Sequence, residues 1–118
     1  MLKLTSFRKR IEEYSVLKGV PLKHLGINEY AWKYDDAMVL IDMLKDANIP
    51  VLGGDVYTVK DGAIRSTYHS WYVNNPQEIM SESWNRAKEY IKQYESSNRD
   101  QSLFVFVCKT GGTGRKGA

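Results

Sequence analysis

The sequence predicts an α+β domain in which a small antiparallel sheet lies under about three helices. Two runs of strand-forming residues, 51–59 and 64–73, flank the turn dipeptide Asp61-Gly62 and predict a hairpin. The apolar run 103–108, LFVFVC, predicts a third strand, buried on both faces inside the sheet beside one of the hairpin strands. Three further segments carry apolar residues at helical spacing: 5–17, 29–47 and 77–95.

The turn sets the expected register of the hairpin. With Asp61 and Gly62 at its centre, Asp55 pairs with Tyr68 and Leu52 lies opposite Trp71. Because side chains alternate across a strand, one face of the hairpin then collects mostly aromatic and apolar side chains. These are Val51, Asp55, Tyr57, Val59, Ile64, Tyr68 and Tyr72.

A glycine pair, Gly53-Gly54, interrupts the first hairpin strand immediately before Asp55. Glycine in a strand packs nothing and lowers stability, so the pair predicts a bulge or a close approach to the backbone. Asp55 then has two possible roles. Its carboxylate either contacts a partner or caps the glycine kink by accepting hydrogen bonds from backbone N–H groups.

The first two predicted helices have recognisable ends. Thr5 or Ser6 opens the helix 5–17 and Gly19 closes it. The stretch 20–28 contains proline and glycine and is expected to be a connection. Asn28 is a plausible cap for the helix 29–47, which Asn48 and Pro50 end.

The third predicted helix, 77–95, begins with a capping box and carries a tryptophan in its buried stripe. Asn75 is the expected cap, Pro76 occupies the first position and Glu78 completes the box, with Ser81 as an alternative start. Trp84 is expected to anchor this helix against the sheet. A polar loop at 96–100 then leads to the last strand.

Length and composition fit a single globular domain over 1–109, followed by a flexible Gly-rich tail at 110–118. The 118 residues are 42% hydrophobic, without a signal-peptide core or an apolar run long enough to cross a bilayer. We therefore expect a cytoplasmic protein that does not interact with membranes. The lone Cys108 has neither a disulfide partner nor neighbouring metal ligands, so it is expected to be a core residue.

The net charge of +3 comes from the two ends of the chain. Seven of the 17 basic residues lie in the first ten and last ten positions, which hold none of the 14 acidic ones. The remaining segment, 11–108, therefore has ten basic and 14 acidic residues, a balance of −4. Nucleic acid is an unlikely partner for this body, because binding requires lysine and arginine clustered on one face.

The sequence lacks a recognisable catalytic or metal-binding constellation, and we expect neither enzymatic activity nor a cofactor. His24 and His69 are the side chains whose ordinary pKa lies near neutrality. In the expected register His69 lies opposite Gly54, on the other face from Asp55, which disfavours a His-Asp pair. No nucleophile elbow, phosphate-binding loop or metal-ligand spacing occurs.

An acidic stripe, defined by Asp35, Asp42 and Asp46, lies along the predicted helix 29–47 at spacings of seven and four residues. It is either a solvated helix face or a negative patch for a basic partner. The body also carries many tyrosines and tryptophans, which are enriched at binding hot spots.

Four sequence words together resemble immunity proteins of bacterial polymorphic toxin systems, in particular the family 40 class marked by a GGDVY word. The resemblance extends from about residue 26 to residue 107, so it leaves out the first helix and the tail. The words are GINEYAW at 26–32, LGGDVY at 52–57, TYHSWY at 67–72 and SWNRAKEYI at 83–91.

The resemblance implies a non-enzymatic cytoplasmic protector that binds a cognate toxin domain and blocks its active site or another essential surface. Candidate contacts are Asp55, Tyr57 and Tyr68 on the hairpin. The acidic stripe is a second candidate. Two other functions stay open, a nucleic-acid-binding module supported by the basic ends and a homodimer formed through a sheet edge or the aromatic face.

Overall fold

A computed structural model describes residues 3–72 and 82–108, with side chains from residue 9 onward. The described chain forms three α-helices, a short 3-10 turn at Lys23–Leu25 and five strands. The helices are α1 (Lys3–Lys18), α2 (Tyr34–Asp46) and α3 (Ser83–Ser97). The strands are β1 (Val20–Pro21), β2 (Tyr30–Lys33), β3 (Val51–Lys60), β4 (Ala63–Tyr72) and β5 (Gln101–Cys108).

The strands form one antiparallel sheet in the order β1-β2-β5-β3-β4, which confirms the predicted α+β class. As predicted, β5 lies inside the sheet beside a hairpin strand and has apolar side chains on both faces; of the two hairpin strands, its neighbour is β3. Phe104 is fully buried toward the helices, and Leu103 and Val105 are buried on the opposite face. Its Gln101 start adds two residues to the predicted strand.

The helices pack on one face of the sheet, here called the helix side. The main core lies there and includes Ile41, Val56, Trp84, Ile91 and Phe104. A smaller cluster covers part of the opposite face, where Leu22 from the segment after β1 packs on Ala31, Leu103 and Val105.

The prediction of one helix over 29–47 is wrong in its first part. Residues 30–33 form β2, and α2 begins at Tyr34, so Asn28 does not cap a helix. The physical reason is that β5 requires a hydrogen-bonding partner on its second edge, and β2 supplies it through Trp32 and Lys33. Trp32 is also held by a stack on Tyr14 of α1, with ring centroids 5.3 Å apart.

The end of α2 agrees with the prediction. Asn48 adopts a left-handed conformation, with a φ of 60°. Its N–H donates to the Lys45 carbonyl, and the N–H of Ile49 donates to the Leu44 carbonyl. This is the Schellman pattern, which stops a helix where asparagine or glycine can take a positive φ.

The other two helices differ slightly from their predicted bounds. α1 begins at Lys3, which places the expected caps Thr5 and Ser6 within the helix, and it ends before Gly19 as predicted. α3 runs to Ser97, past the predicted residue 95. The capping box and the alternative start at Ser81 lie outside the described residues, as do Val73 and the tail 110–118.

The expected hairpin register is confirmed only near the turn, from Lys60-Ala63 to Tyr57-Ser66. A bulge then adds two residues to β4, so that Val56 pairs with His69 and Asp55 pairs with Ser70. The predicted pairs Asp55-Tyr68 and Leu52-Trp71 are therefore wrong.

A second irregularity, where β3 passes from Val51 to Gly53 beside β5, changes the direction of Val51. This residue is fully buried in the helix-side core, whereas the sequence placed it on the face of Asp55. Side-chain alternation holds only where no extra residue enters a strand.

Candidate functional site

The glycine pair is explained by close packing of Trp71. A Cβ on Gly54 would lie 2.3 Å from Cη2 of the Trp71 ring and 2.4 Å from the carbonyl oxygen of Val105. A Cβ on Gly53 would lie 2.3 Å from the Trp71 carbonyl oxygen. The two glycines are buried and allow the backbone and an indole ring to approach closely, as the sequence predicted.

Aromatic rings continue from Trp71 across the helix side and fix α3 to the hairpin. Trp71 stacks on Tyr90, with ring centroids 4.6 Å apart, and Tyr90 stacks on Tyr94. The hydroxyl of Tyr94 lies 2.8 Å from Nδ1 of His69. Burial raises the pKa of Tyr90, with a smaller contribution from Tyr94. His69 therefore belongs to a structural contact with α3, and its strand partner is Val56 instead of the predicted Gly54.

The bulge in β4 presents Tyr68 to solvent. Tyr68 has a φ of 65° and a 91% exposed side chain. Its N–H donates to Ser66 Oγ at 3.0 Å, and the N–H of His69 donates to Thr67 Oγ1 at 3.1 Å. The Thr67 hydroxyl in turn donates to the Val56 carbonyl at 2.8 Å. Side-chain hydrogen bonds thus hold a tyrosine in a conformation that such residues rarely adopt.

Asp55 lies on the opposite face of the sheet from the helices. It pairs with Ser70 on β4 and with Val105 on β5, and Tyr57 lies two residues along the same strand. Tyr72 shares this face and is 68% exposed. We call Asp55, Tyr57, Ser70 and Tyr72, together with Tyr68 of the adjoining bulge, the hairpin surface. Three of these five, Asp55, Tyr57 and Tyr68, are the hairpin candidates named from the sequence.

The Asp55 carboxylate makes no hydrogen bond or ion pair with any residue in the described part of the chain. The side chain is half-buried. Its charge acts on the neighbouring Tyr57, whose pKa is raised first by burial and then by Asp55 and Glu29. Two carboxylates are therefore close enough to the Tyr57 hydroxyl to affect its pKa.

The acidic stripe on α2 is only partly available. Asp35, Asp42 and Asp46 are all exposed, but Asp42 forms an ion pair with Lys88 of α3. Asp35 lies close enough to Glu95 of α3 for its negative charge to affect the pKa of Glu95. The pKa of Glu95 is raised mainly by burial and further by Asp35.

Two features of the hairpin surface were missed from the sequence. The hydroxyls of Ser66 and Thr67 build the bulge. The bulge also moves Tyr72, which the sequence placed on the face of Asp55, to the position diagonal to Asp55 on the neighbouring strand. The signal for the bulge was the Ser66-Thr67 dipeptide, because these side chains often bond to backbone N–H groups two residues ahead.

Within 3–72 and 82–108, no group of three or more His, Cys, Asp or Glu side chains could hold a metal ion. None of the helices in those ranges is long and apolar enough to span a membrane.

Comparison with known proteins gives one match. The family model described as immunity protein 40 matches residues 21–108, which include β2 to β5, α2, α3 and the second residue of β1. No curated protein and no solved structure matches the chain. The family match covers about three quarters of the sequence and leaves out α1 and the tail. The chain therefore belongs to the immunity protein 40 family.

Proposed function

We propose that this chain is a cytoplasmic bacterial immunity protein that binds a cognate domain of a polymorphic toxin and neutralises it. It acts by occluding the active site or another essential surface of the toxin, and it catalyses no reaction itself. Family membership supports a toxin as the partner. The hairpin surface is the docking site that we favour.

The observation that carries this assignment is the position of Tyr68. A left-handed tyrosine is less stable than glycine or asparagine at the same position, so a folding requirement alone does not account for it. Tyrosine at the centre of an interface supplies a large contact area, and a backbone held in place before binding loses little entropy. Backbone strain that a hydrogen-bonded frame maintains in this way is typical of binding sites.

The acidic stripe on α2 is the second candidate surface. Its Asp42 is engaged by Lys88, which reduces the charge that the stripe offers to a basic partner. Asp35 and Asp46 remain exposed on the same helix. We therefore rank this surface below the hairpin surface.

The test uses the toxin domain whose coding region adjoins that of this chain. We expect the two purified proteins to co-elute from a sizing column and the chain to suppress the toxicity of that domain in bacteria. Hydrogen exchange of the complex should protect residues 66–72 on β4, and 35–46 on α2 should be unaffected. Protection confined to α2 would move the docking site to the acidic stripe, and absence of any complex would refute the proposal.

A homodimer is a second candidate because the two sheet edges differ. The outer strand β4 is ten residues long, whereas the outer strand β1 has two residues and ends at Pro21. A long unpaired edge can add a strand from a second copy, although the bulge at Tyr68 interrupts this one. Sedimentation over a concentration series distinguishes a dimer from a monomer.

A further inference from the structure

The hairpin surface contains a negative group between two aromatic side chains. Asp55 lies two residues from Tyr57 on β3, a distance of about 7 Å along a strand. Tyr72 is the diagonal neighbour of Asp55 on β4, at a typical distance of about 7–8 Å. The carboxylate therefore has one tyrosine on each side along the same face of the sheet.

The ring of Tyr72 leans across the strand pair onto Gly53. Gly53 pairs with Tyr72, and a Cβ on Gly53 would lie 3.2 Å from Cδ1 of the Tyr72 ring. Gly53 also precedes Asp55 by two residues on the same strand. The aromatic ring thus lies over a position without a side chain.

The charges of the region favour a cationic ligand. Neither of the two ion pairs found among the described residues includes Asp55. Lys33 shares this face, but register places it two strands from Tyr57, about 10 Å away. The carboxylates of Asp55 and Glu29 both raise the pKa of Tyr57 in addition to its burial.

We propose that Asp55, with Tyr57 and Tyr72 beside it, binds an arginine side chain of the toxin domain. A guanidinium group can form two parallel hydrogen bonds to a carboxylate, and its flat surface stacks on an aromatic ring. A lysine ammonium makes the ion pair without the planar fork. This inference rests on the proposed function and adds the chemistry of the contact.

The first test needs no toxin. N-acetyl-arginine amide is titrated into the isotopically labelled protein at constant ionic strength, and amide chemical shifts are followed. We expect saturable shifts at residues 53–57 and 70–72 in the millimolar range. N-acetyl-citrulline amide has the same shape without the charge, and it should cause no such shifts. Equal shifts with both compounds, or none with arginine, would overturn the arginine assignment.

The second test compares two variants with the same change of charge. Asp55→Asn should abolish the arginine-dependent shifts and weaken toxin binding by about 10- to 100-fold. Asp61→Asn at the hairpin turn, where asparagine tolerates the φ of 53°, should change neither. Unfolding curves of both variants check that the fold is retained.

The outcomes separate this inference from the proposed function. If wild-type protein binds the toxin domain and Asp55→Asn binds it equally well, the toxin partner stands and the arginine contact is wrong. If Asp55→Asn lowers stability and leaves toxin affinity unchanged, the carboxylate has a structural role instead. If the wild-type protein binds no toxin domain, the proposed function itself fails, whatever arginine amide does.

Discussion

The indole ring of Trp71 lies directly against Gly54, so close that a methyl group at that position would overlap both the ring and the neighbouring Val105 carbonyl. The contact joins β4 to β3 on the helix side, and Trp71 continues it to α3 through its stack on Tyr90. The GGDVY word therefore combines two different tasks. Its glycines make room for Trp71 and, at Gly53, also for the Tyr72 ring, while Asp55 and Tyr57 lie on the face away from the helices.

Gly54→Ala should destabilise the protein by about 1–3 kcal/mol, because the added Cβ meets backbone as well as the Trp71 ring. Denaturant unfolding measures the loss. Ser70→Ala on the exposed strand β4 is the control and should change the free energy of unfolding by less than about 0.5 kcal/mol. Equal effects of the two substitutions would contradict the packing explanation.

Trp84→Ala should cost roughly 3–5 kcal/mol of unfolding free energy. The side chain is 6% exposed, and its Nε1–H donates to the Ile49 carbonyl at 2.9 Å, so α3 is tied to the end of α2. Trp84→Phe keeps most of the apolar contact and loses the hydrogen bond, with an expected cost of about 1–3 kcal/mol. A loss below about 1 kcal/mol for the alanine variant in denaturant unfolding would remove Trp84 from the core.

Thr67→Val keeps the shape of the side chain but removes the hydroxyl that holds the bulge. The Val56 carbonyl and the His69 N–H each lose a partner. We expect faster hydrogen exchange at residues 66–69 and weaker toxin binding, although Thr67 need not touch the toxin. Thr58→Val on β3 is the matched control, and unchanged exchange in the bulge of the Thr67 variant would show that other contacts hold Tyr68.

Glu95→Gln should stabilise the protein at neutral pH and not at low pH. Burial and the charge of Asp35 raise the pKa of Glu95 above its ordinary value of 4.5. The folded protein therefore binds the Glu95 carboxyl proton more tightly than the unfolded chain does. The stability that this proton contributes is lost as the pH rises through the pKa of Glu95 in the folded state. Thermal unfolding between pH 3.5 and 7 tests the sign. If Glu89→Gln, at an exposed position, raises the stability at neutral pH by the same amount, the gain comes from the change of net charge and not from the burial of Glu95.

Local patterns were sufficient to predict much of the fold. The Asp61-Gly62 turn placed the hairpin, and the apolar run at 103–108 placed β5 inside the sheet. The segment 29–47 misled because Tyr30 and Trp32 continue the helical spacing of α2. These residues form β2 because they pair with the second edge of β5. That pairing is a tertiary contact, which the local spacing of residues does not reveal.

The candidate site was predictable in composition but only partly in geometry. The GGDVY word drew attention to Asp55 and Tyr57, and both lie on one face. The predicted strand partner of Asp55 was wrong because the bulge adds Thr67 and Tyr68 to β4. Counting residues from the turn gives the correct pair only where every residue of both strands is paired. The same bulge makes Tyr68 the most exposed of the three hairpin candidates.

We propose that the hairpin surface binds the toxin through Tyr68. The most direct measurement compares the toxin affinity and the stability of Tyr68→Asn with those of the wild type. Asparagine tolerates a positive φ, so the free energy of unfolding should stay constant or rise by up to about 1 kcal/mol. Affinity should fall by at least about 30-fold, as expected for a hot-spot residue.

The control is Val39→Ala, which removes an exposed apolar side chain between Asp35 and Asp42 on α2. Its toxin affinity should equal that of the wild type. Wild-type affinity in Tyr68→Asn together with a loss in Val39→Ala would contradict the account and place the toxin on α2.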